Sequence, residues 1–181
     1  MGMTLSFELS DKDLRYFRTA LKQSRAAVRD ADESEIIDAV RHVLDEIQTN
    51  EPLPDFVSSY IPEIFSLIEM LADDEWQLPK TERERLLAMF VYFADPEDII
   101  ADKIPVIGYL DDIIILKLVT HEQQHVHEAY VDYCEFRQDF DKQHGKSIDS
   151  AIRRDRLDKR RQQLRQRMQR RSSQQRKVGI W

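Results

Sequence analysis

The residues best suited to chemistry form the sequence His121-Glu122-Gln-Gln-His125. Two histidines four residues apart share one helix face, so they can bind one Zn²⁺ ion with the intervening glutamate as general base. This pattern is typical of zinc-dependent hydrolases, but no third ligand is specified. Glu122 also falls on the apolar stripe of the helix, where it could serve as a buried structural acid. We expect the two histidines on a neighbouring polar face, together with Glu128, Asp132 and Asp139.

A second group of candidates is acidic and lies in the most apolar stretch of the chain, residues 86–119. It comprises Asp95, Asp98, Asp102, Asp111 and Asp112. Carboxylate oxygens suit Mg²⁺ or Ca²⁺, and the last four are the candidate ligands. Cap chemistry explains the same positions, because acids are favoured in turns and in the first turn of a helix. We expect structural caps contacted by Tyr92 and Tyr109, with a divalent-cation site as the alternative.

The third candidate is a basic tail. Residues 1–150 carry 15 basic and 32 acidic side chains, a net charge of −17, whereas residues 151–181 carry 12 basic and 2 acidic side chains, a net charge of +10. This charge predicts either an anionic partner, such as RNA, DNA or a membrane surface, or a helix folded back on the acidic body. The anion-binding candidates are Arg153, Arg154, Lys159, Arg160, Arg161, Arg165, Arg167, Arg170 and Arg171.

The elements that must position these residues are helices. Ser10 and Asp13 form a capping-box pattern before apolar residues that recur at three- to four-residue spacing up to Arg29. Ser34 can cap a second helix, and Pro62 should divide a third helical segment over residues 55–72. Because no alternation of period two persists, we predict an all-α protein.

The later helices carry the candidate residues. A loop anchored by Trp76 precedes a capping box that begins at Thr81. A helix should run without a break from about Ile107 to Gly145, and a polar helix should occupy residues 147–171. The polar helix carries only a narrow apolar line, formed by Leu157, Leu164 and Met168.

The central stretch resembles the signature of the YkvA-like family, a bacterial domain of unknown function. The matching positions are Tyr92, Asp95, Pro96, Asp98, Asp102, Pro105, Gly108, Tyr109, Asp111 and Asp112, with Ala101 where the family usually has a second proline. The resemblance implies a small helical domain with membrane-embedded and soluble branches. It implies no established activity and no catalytic residue.

These observations predict a compact helical domain over residues 1–145 with a central broken helical hairpin, whose signature lies at 86–119. A long basic C-terminal helical extension, partly disordered, follows over residues 146–181. The apolar run 104–119 is 16 residues long and contains three charges, whereas a membrane span needs about 20 apolar residues, so we expect a buried core hairpin. The membrane-embedded branch of the family leaves insertion as the alternative.

Composition limits the classes of function and the cellular locations that fit the chain. The single Cys134 excludes an internal disulfide, and no secretory signal pattern begins the chain, so we expect a cytoplasmic protein or one peripheral to a membrane. The leading hypothesis is a non-enzymatic interaction module that docks on an anionic partner through its basic tail. The alternative is the zinc-dependent hydrolase, so zinc or another divalent cation is a conditional cofactor and no cofactor is predicted outright. A protein partner and the oligomeric state stay open.

Overall fold

The protein is all-α. The computed structural model describes residues 6, 8–28, 31–49, 55–95, 108–145 and 148–177, and no strand occurs in these ranges. The helices are α1 (Asp11–Val28), α2 (Glu33–Thr49), α3 (Asp55–Ser58), α4 (Ile61–Ala72), α5 (Lys80–Phe93), α6 (Leu110–Glu122), α7 (Gln124–His144) and α8 (Ser150–Lys177). The predicted elbow of the hairpin falls at residues 96–107, outside the described residues, so the hairpin stays a prediction.

The chain divides into two compact units. The first consists of residues 1–64 and 83–119, and the second of residues 65–82 and 120–181. Helix α8 packs on α7 inside the second unit. The expected boundary between a domain over residues 1–145 and a tail over residues 146–181 stays a prediction.

Helix starts in the first unit follow the expected cap chemistry with one correction. The Ser10 N–H donates to Asp13 Oδ2 at 2.9 Å, which confirms the capping box of α1. The cap of α2 is Asp32, whose Oδ1 accepts the Ser34 N–H at 2.8 Å. The prediction that Ser34 caps this helix was wrong, because Asp32 precedes it and takes that role.

The core of the first unit is apolar and drawn from helices that are distant in sequence. Val40 and Leu44 of α2 are fully buried, as are Leu86 and Phe90 of α5 and Ile115 of α6. Burying one such side chain stabilises the fold by roughly 1.5–3 kcal/mol. This burial explains why the polar chain folds around residues 86–119.

Proline and helix-capping residues were expected to determine where the helices in the middle of the chain begin and end. As predicted, the segment over residues 55–72 is divided, with α3 ending at Ser58 and α4 holding Pro62 in its first turn, where proline is tolerated. The capping box predicted at Thr81 was wrong. Helix α5 already begins at Lys80, so Thr81 lies inside its first turn.

The core of the second unit centres on Trp76, which is fully buried as the expected anchor of its loop. Its ring lies 5.3 Å from that of Tyr133 and 5.7 Å from that of Tyr130, both on α7. The narrow apolar line of α8 is buried in the same unit. It consists of Leu157, Leu164 and Met168.

The helix predicted from residue 107 to 145 is interrupted, which corrects the sequence-based expectation. Helix α6 ends at Glu122 and α7 begins at Gln124, with Gln123 at φ −105° and ψ 14° between them. The Gln123 carbonyl accepts the Val126 N–H at 2.8 Å. No proline or glycine marks this break, and the buried Gln123 side chain shows that tertiary packing sets it.

A helix that crosses a membrane must be both long and apolar. Among the described helices, none combines the length and the apolar run that crossing a bilayer demands.

Candidate functional site

The candidate site in the second unit begins with the loop over residues 73–79. Asp73 Oδ1 accepts the backbone N–H groups of Glu75 at 2.9 Å and Trp76 at 3.0 Å, an Asx-type turn that fixes the loop. Gln77 follows with φ 52°, in the left-handed region that non-glycine residues rarely adopt. The loop is therefore held in one conformation and presents its carbonyl oxygens in a defined direction.

Two arginines bind the acids of this loop. Arg137 of α7 places Nη1 2.9 Å from Asp73 Oδ2 and 3.1 Å from Glu75 Oε2. Arg153 of α8 pairs with Glu75 and places Nε 2.7 Å from Asp141 Oδ1. Glu75 thus receives a guanidinium from each of two helices, which joins α7, α8 and the loop in one network.

The network favours the charged forms of its members. Hydrogen bonding from Arg153 lowers the pKa of Glu75, and the same arginine lowers the pKa of Asp141. Both carboxylates are partly exposed, so solvent screening limits the energy that these pairs contribute. The arrangement is that of a structural clasp that favours the charged forms of Glu75 and Asp141.

Arginines of α8 also bind loop carbonyls. Arg161 donates to the Glu75 carbonyl at 2.7 Å. Arg165 donates to the Trp76 carbonyl at 3.2 Å and to the Gln77 carbonyl. These bonds satisfy backbone acceptors at the left-handed turn, so α8 supports the conformation of the loop.

Further along, α8 pairs with acids of α7. Arg167 Nη2 lies 2.6 Å from Asp132 Oδ2, and Arg171 pairs with Glu128. The Arg160 guanidinium sits over the Phe136 ring at 5.5 Å. We call this side of α8, carrying Arg153, Arg160, Arg161, Arg165, Arg167 and Arg171, the inner face.

Other arginines of α8 lie outside these contacts. Arg154, Arg156 and Arg170 are exposed, and within the described ranges none of the three forms an ion pair. Lys159 Nζ lies 2.7 Å from Asp155 Oδ2, but both side chains are more than half exposed. We call these exposed positions of α8 the outer face; they also include Gln162, Gln163, Gln166 and Gln169. The predicted anion-binding arginines therefore divide between two faces.

The zinc motif does not lie within one continuous helix. His121 lies in the last turn of α6 and His125 in the first turn of α7, with the turn at Gln123 between them. His121 is exposed, whereas His125 is 7% exposed and so does not lie on an open polar face as expected. The motif depends on i, i+4 spacing within one helix, and the turn at Gln123 interrupts that helix. Glu122 is half-buried.

The acids at the start of α6 are buried. Asp111 is 0% and Asp112 is 4% exposed, in the first turn of the helix, as expected for dipole-stabilised acids. The Tyr92 hydroxyl donates to Asp111 Oδ2 at 3.1 Å, which confirms the predicted contact. The candidate ligands Asp98 and Asp102, with Pro96 and Pro105 of the signature, lie outside the described residues. Asp95, Gly108 and Tyr109 lie inside them.

Within the described part of the chain, no three His, Cys, Asp or Glu side chains converge closely enough to hold a metal ion.

A surface groove of about 750 Å³ lies in the second unit beside α7. Its walls include Tyr130, Cys134 and Arg137. Burial raises the pKa of the Cys134 thiol and also that of Tyr130, so neither group is activated as a nucleophile or base at neutral pH.

One polar pair was missed by sequence reasoning. Ser66 Oγ and His127 Nε2 lie 3.1 Å apart, and Ser66 also lines the groove. A serine and histidine at this distance can form a nucleophile and base, but catalysis also needs a third group to orient the ring. Among the described residues no hydrogen bond to His127 Nδ1 supplies that group. The 61-residue separation left no local signal in the sequence.

Comparison with known proteins gives one match. A family model described as "Protein of unknown function (DUF1232)" matches residues 85–118, which nearly coincides with the signature at residues 86–119. Neither a curated protein nor a solved structure matches the chain. Residues 85–118 are thus similar to a domain of unknown function, and that similarity covers less than a fifth of the chain.

Proposed function

We propose that this chain is a non-enzymatic binding module in which α8 docks on an anionic partner, such as RNA, DNA or a membrane surface. The partner is recognised through its phosphate charge by the outer face of α8. We further propose that the chain is a YkvA-like protein, since the quoted signature overlaps the match to the domain of unknown function.

The observation that carries the proposal is the division of α8 into two faces. Inner-face arginines such as Arg153 and Arg167 bind acids of the second unit and fix the helix. Arg154, Arg156 and Arg170 then stand on an ordered surface. A partner that binds there does not have to order the helix, which reduces the entropic cost of binding. Phosphate contacts of this kind carry no sequence preference.

The chemistry of the second unit supports a binding role over catalysis. Burial raises the pKa of the Cys134 thiol, and Glu75 of the loop is paired with Arg137 and Arg153. The zinc-dependent hydrolase has weaker support, because the turn at Gln123 separates the two histidines of its motif. No observation favours a second function.

The experiment compares three full-length proteins by gel shift with RNA and duplex DNA and by flotation with anionic vesicles. The outer-face variant is Arg154→Gln/Arg156→Gln/Arg170→Gln. The matched control, Arg41→Gln/Lys80→Gln/Lys142→Gln, removes the same charge from exposed positions elsewhere. The parent and the control should bind all three at low salt. The outer-face variant should lose binding to RNA and DNA and should bind the vesicles more weakly. Equal binding by all three proteins would refute the assignment to α8, and no binding by any of them would refute the anionic partner.

A further inference from the structure

Helix α1 is a basic element in an acidic part of the chain. Its 18 residues carry five basic side chains and two acidic ones, although residues 1–150 hold about twice as many acids as bases. The basic residues are Lys12, Arg15, Arg18, Lys22 and Arg25. Positive charge is therefore concentrated on this helix.

The apolar stripe of α1 is only half covered. Leu14, Phe17, Leu21 and Val28 are all partly exposed, and no described side chain of α1 is buried. Helix α2 is similarly amphipathic, yet it buries five side chains. The apolar stripe of α1 therefore leaves part of its surface open to solvent.

An aromatic side chain extends that strip. Tyr16 is 61% exposed, and its ring packs edge-on against Phe17 with centroids 6.0 Å apart. Tyrosine combines an apolar ring with a polar hydroxyl, a combination favoured where apolar and aqueous phases meet.

The charges border the strip on one side. At 100° per residue, Arg15, Lys22 and Arg25 fall on the same flank of the helix, next to the apolar stripe. All three are exposed. An open apolar strip beside a row of cations is the pattern of a helix that lies in a bilayer interface.

We propose that α1 docks on the surface of an anionic phospholipid bilayer, with the apolar strip at the level of the acyl chains and the cations near lipid phosphates. Charge complementarity favours an anionic bilayer, because such a bilayer contacts both the apolar strip and the cations of α1. A nucleic acid would use the cations alone. A peptide-binding groove would have to enclose a helix whose apolar stripe is already partly covered. The inference is independent of the function proposed for α8.

The test measures partition of the full chain onto vesicles of phosphatidylcholine with phosphatidylserine and onto phosphatidylcholine alone. The parent protein should bind the mixed vesicles and should not bind those of phosphatidylcholine alone. Lys22→Gln/Arg25→Gln should weaken partition about 30-fold, because each cation near an anionic surface contributes roughly a factor of five. Tyr16→Ser should also weaken it, and the matched charge control Arg41→Gln/Lys142→Gln should leave it unchanged. Arg154→Gln/Arg156→Gln is measured in parallel to separate α8 from α1. Because these positions are exposed, thermal melts should match those of the parent.

Three results would overturn the proposal. Unchanged partition of Lys22→Gln/Arg25→Gln would exclude α1 as the docking surface. A loss confined to Arg154→Gln/Arg156→Gln would assign the lipid surface to α8. Sedimentation showing that Tyr16→Ser converts a dimer to a monomer without changing partition would identify the occupant as a second copy of the chain.

Discussion

Arg167 of α8 and Asp132 of α7 form an ion pair with 2.6 Å between Nη2 and Oδ2, each side chain about one-third exposed. The sequence left open whether the tail arginines face a partner or the acidic body. This pair, with those of Arg153 and Arg171, places part of the charge of α8 against the acids of its own unit. The charge that can meet a partner is the smaller set on the outer face.

The first prediction concerns two neighbouring arginines of α8. Arg153→Gln should destabilise the protein by about 1–2 kcal/mol, because it removes charged hydrogen bonds to Asp141 and Glu75. Its neighbour Arg154 is exposed and has no such bonds, so Arg154→Gln should change stability by less than about 0.5 kcal/mol. Chemical denaturation of both variants gives the comparison. Equal effects would mean that the clasp contributes no stability.

The second prediction is a pH dependence of the clasp. Glu75 and Asp141 have folded-state pKa values below their ordinary values of 4.5 and 3.8, so the unfolded state binds protons first as pH falls. Their stabilisation is present above those ordinary values and is lost as pH falls through the lower folded values. The difference in unfolding free energy between the parent and Glu75→Gln/Asp141→Asn should therefore be largest near neutral pH and shrink below about pH 4.5. A difference that grows on acidification would contradict this assignment.

The third prediction tests the buried acid at the start of α6. Tyr92→Phe removes the hydroxyl that donates to Asp111 and leaves the ring in place, so it should cost about 1–2 kcal/mol. Tyr16→Phe provides the control. Because Tyr16 is 61% exposed, loss of its hydroxyl should leave the free energy of unfolding almost unchanged. Circular-dichroism melts would compare both with the parent. A Tyr92→Phe protein that melts with the parent would show that the contact is dispensable.

The fourth prediction addresses zinc. We expect elemental analysis to find the same zinc content in the parent and in His121→Ala/His125→Ala, because the turn at Gln123 breaks the helix on which the motif depends. The variant should still be less stable, since His125 is buried. One zinc per chain in the parent, lost in the variant, would reverse this conclusion and restore the hydrolase.

Local signals predicted much of the helical architecture. The Ser10–Asp13 box, the division at Pro62 and the burial of Trp76 follow from short-range chemistry, and the structure confirms all three. The spacing of Leu157, Leu164 and Met168 likewise contained the packing seam of α8.

The errors arose where tertiary packing overrides local preference. Glutamine is a good helix former, so nothing at Gln123 signals a break, and its side chain is buried by contacts that a linear pattern does not contain. The inner face of α8 was hidden for a similar reason. Its arginines pair with Glu75, Asp132 and other acids far away in the chain.

The most direct test of the account is the salt dependence of RNA or DNA binding by the full-length chain. Three outer-face arginines that neutralise three phosphates should give a log–log slope of about −2 to −3. The variant Arg154→Gln/Arg156→Gln/Arg170→Gln should lose its affinity for RNA and DNA, and the salt dependence should be lost with it. If the whole tail engaged the partner, its 12 basic side chains would give a slope of roughly −8 or steeper. Such a slope would show that the inner arginines leave their acids on binding, and it would contradict an α8 docked in its own unit while it binds.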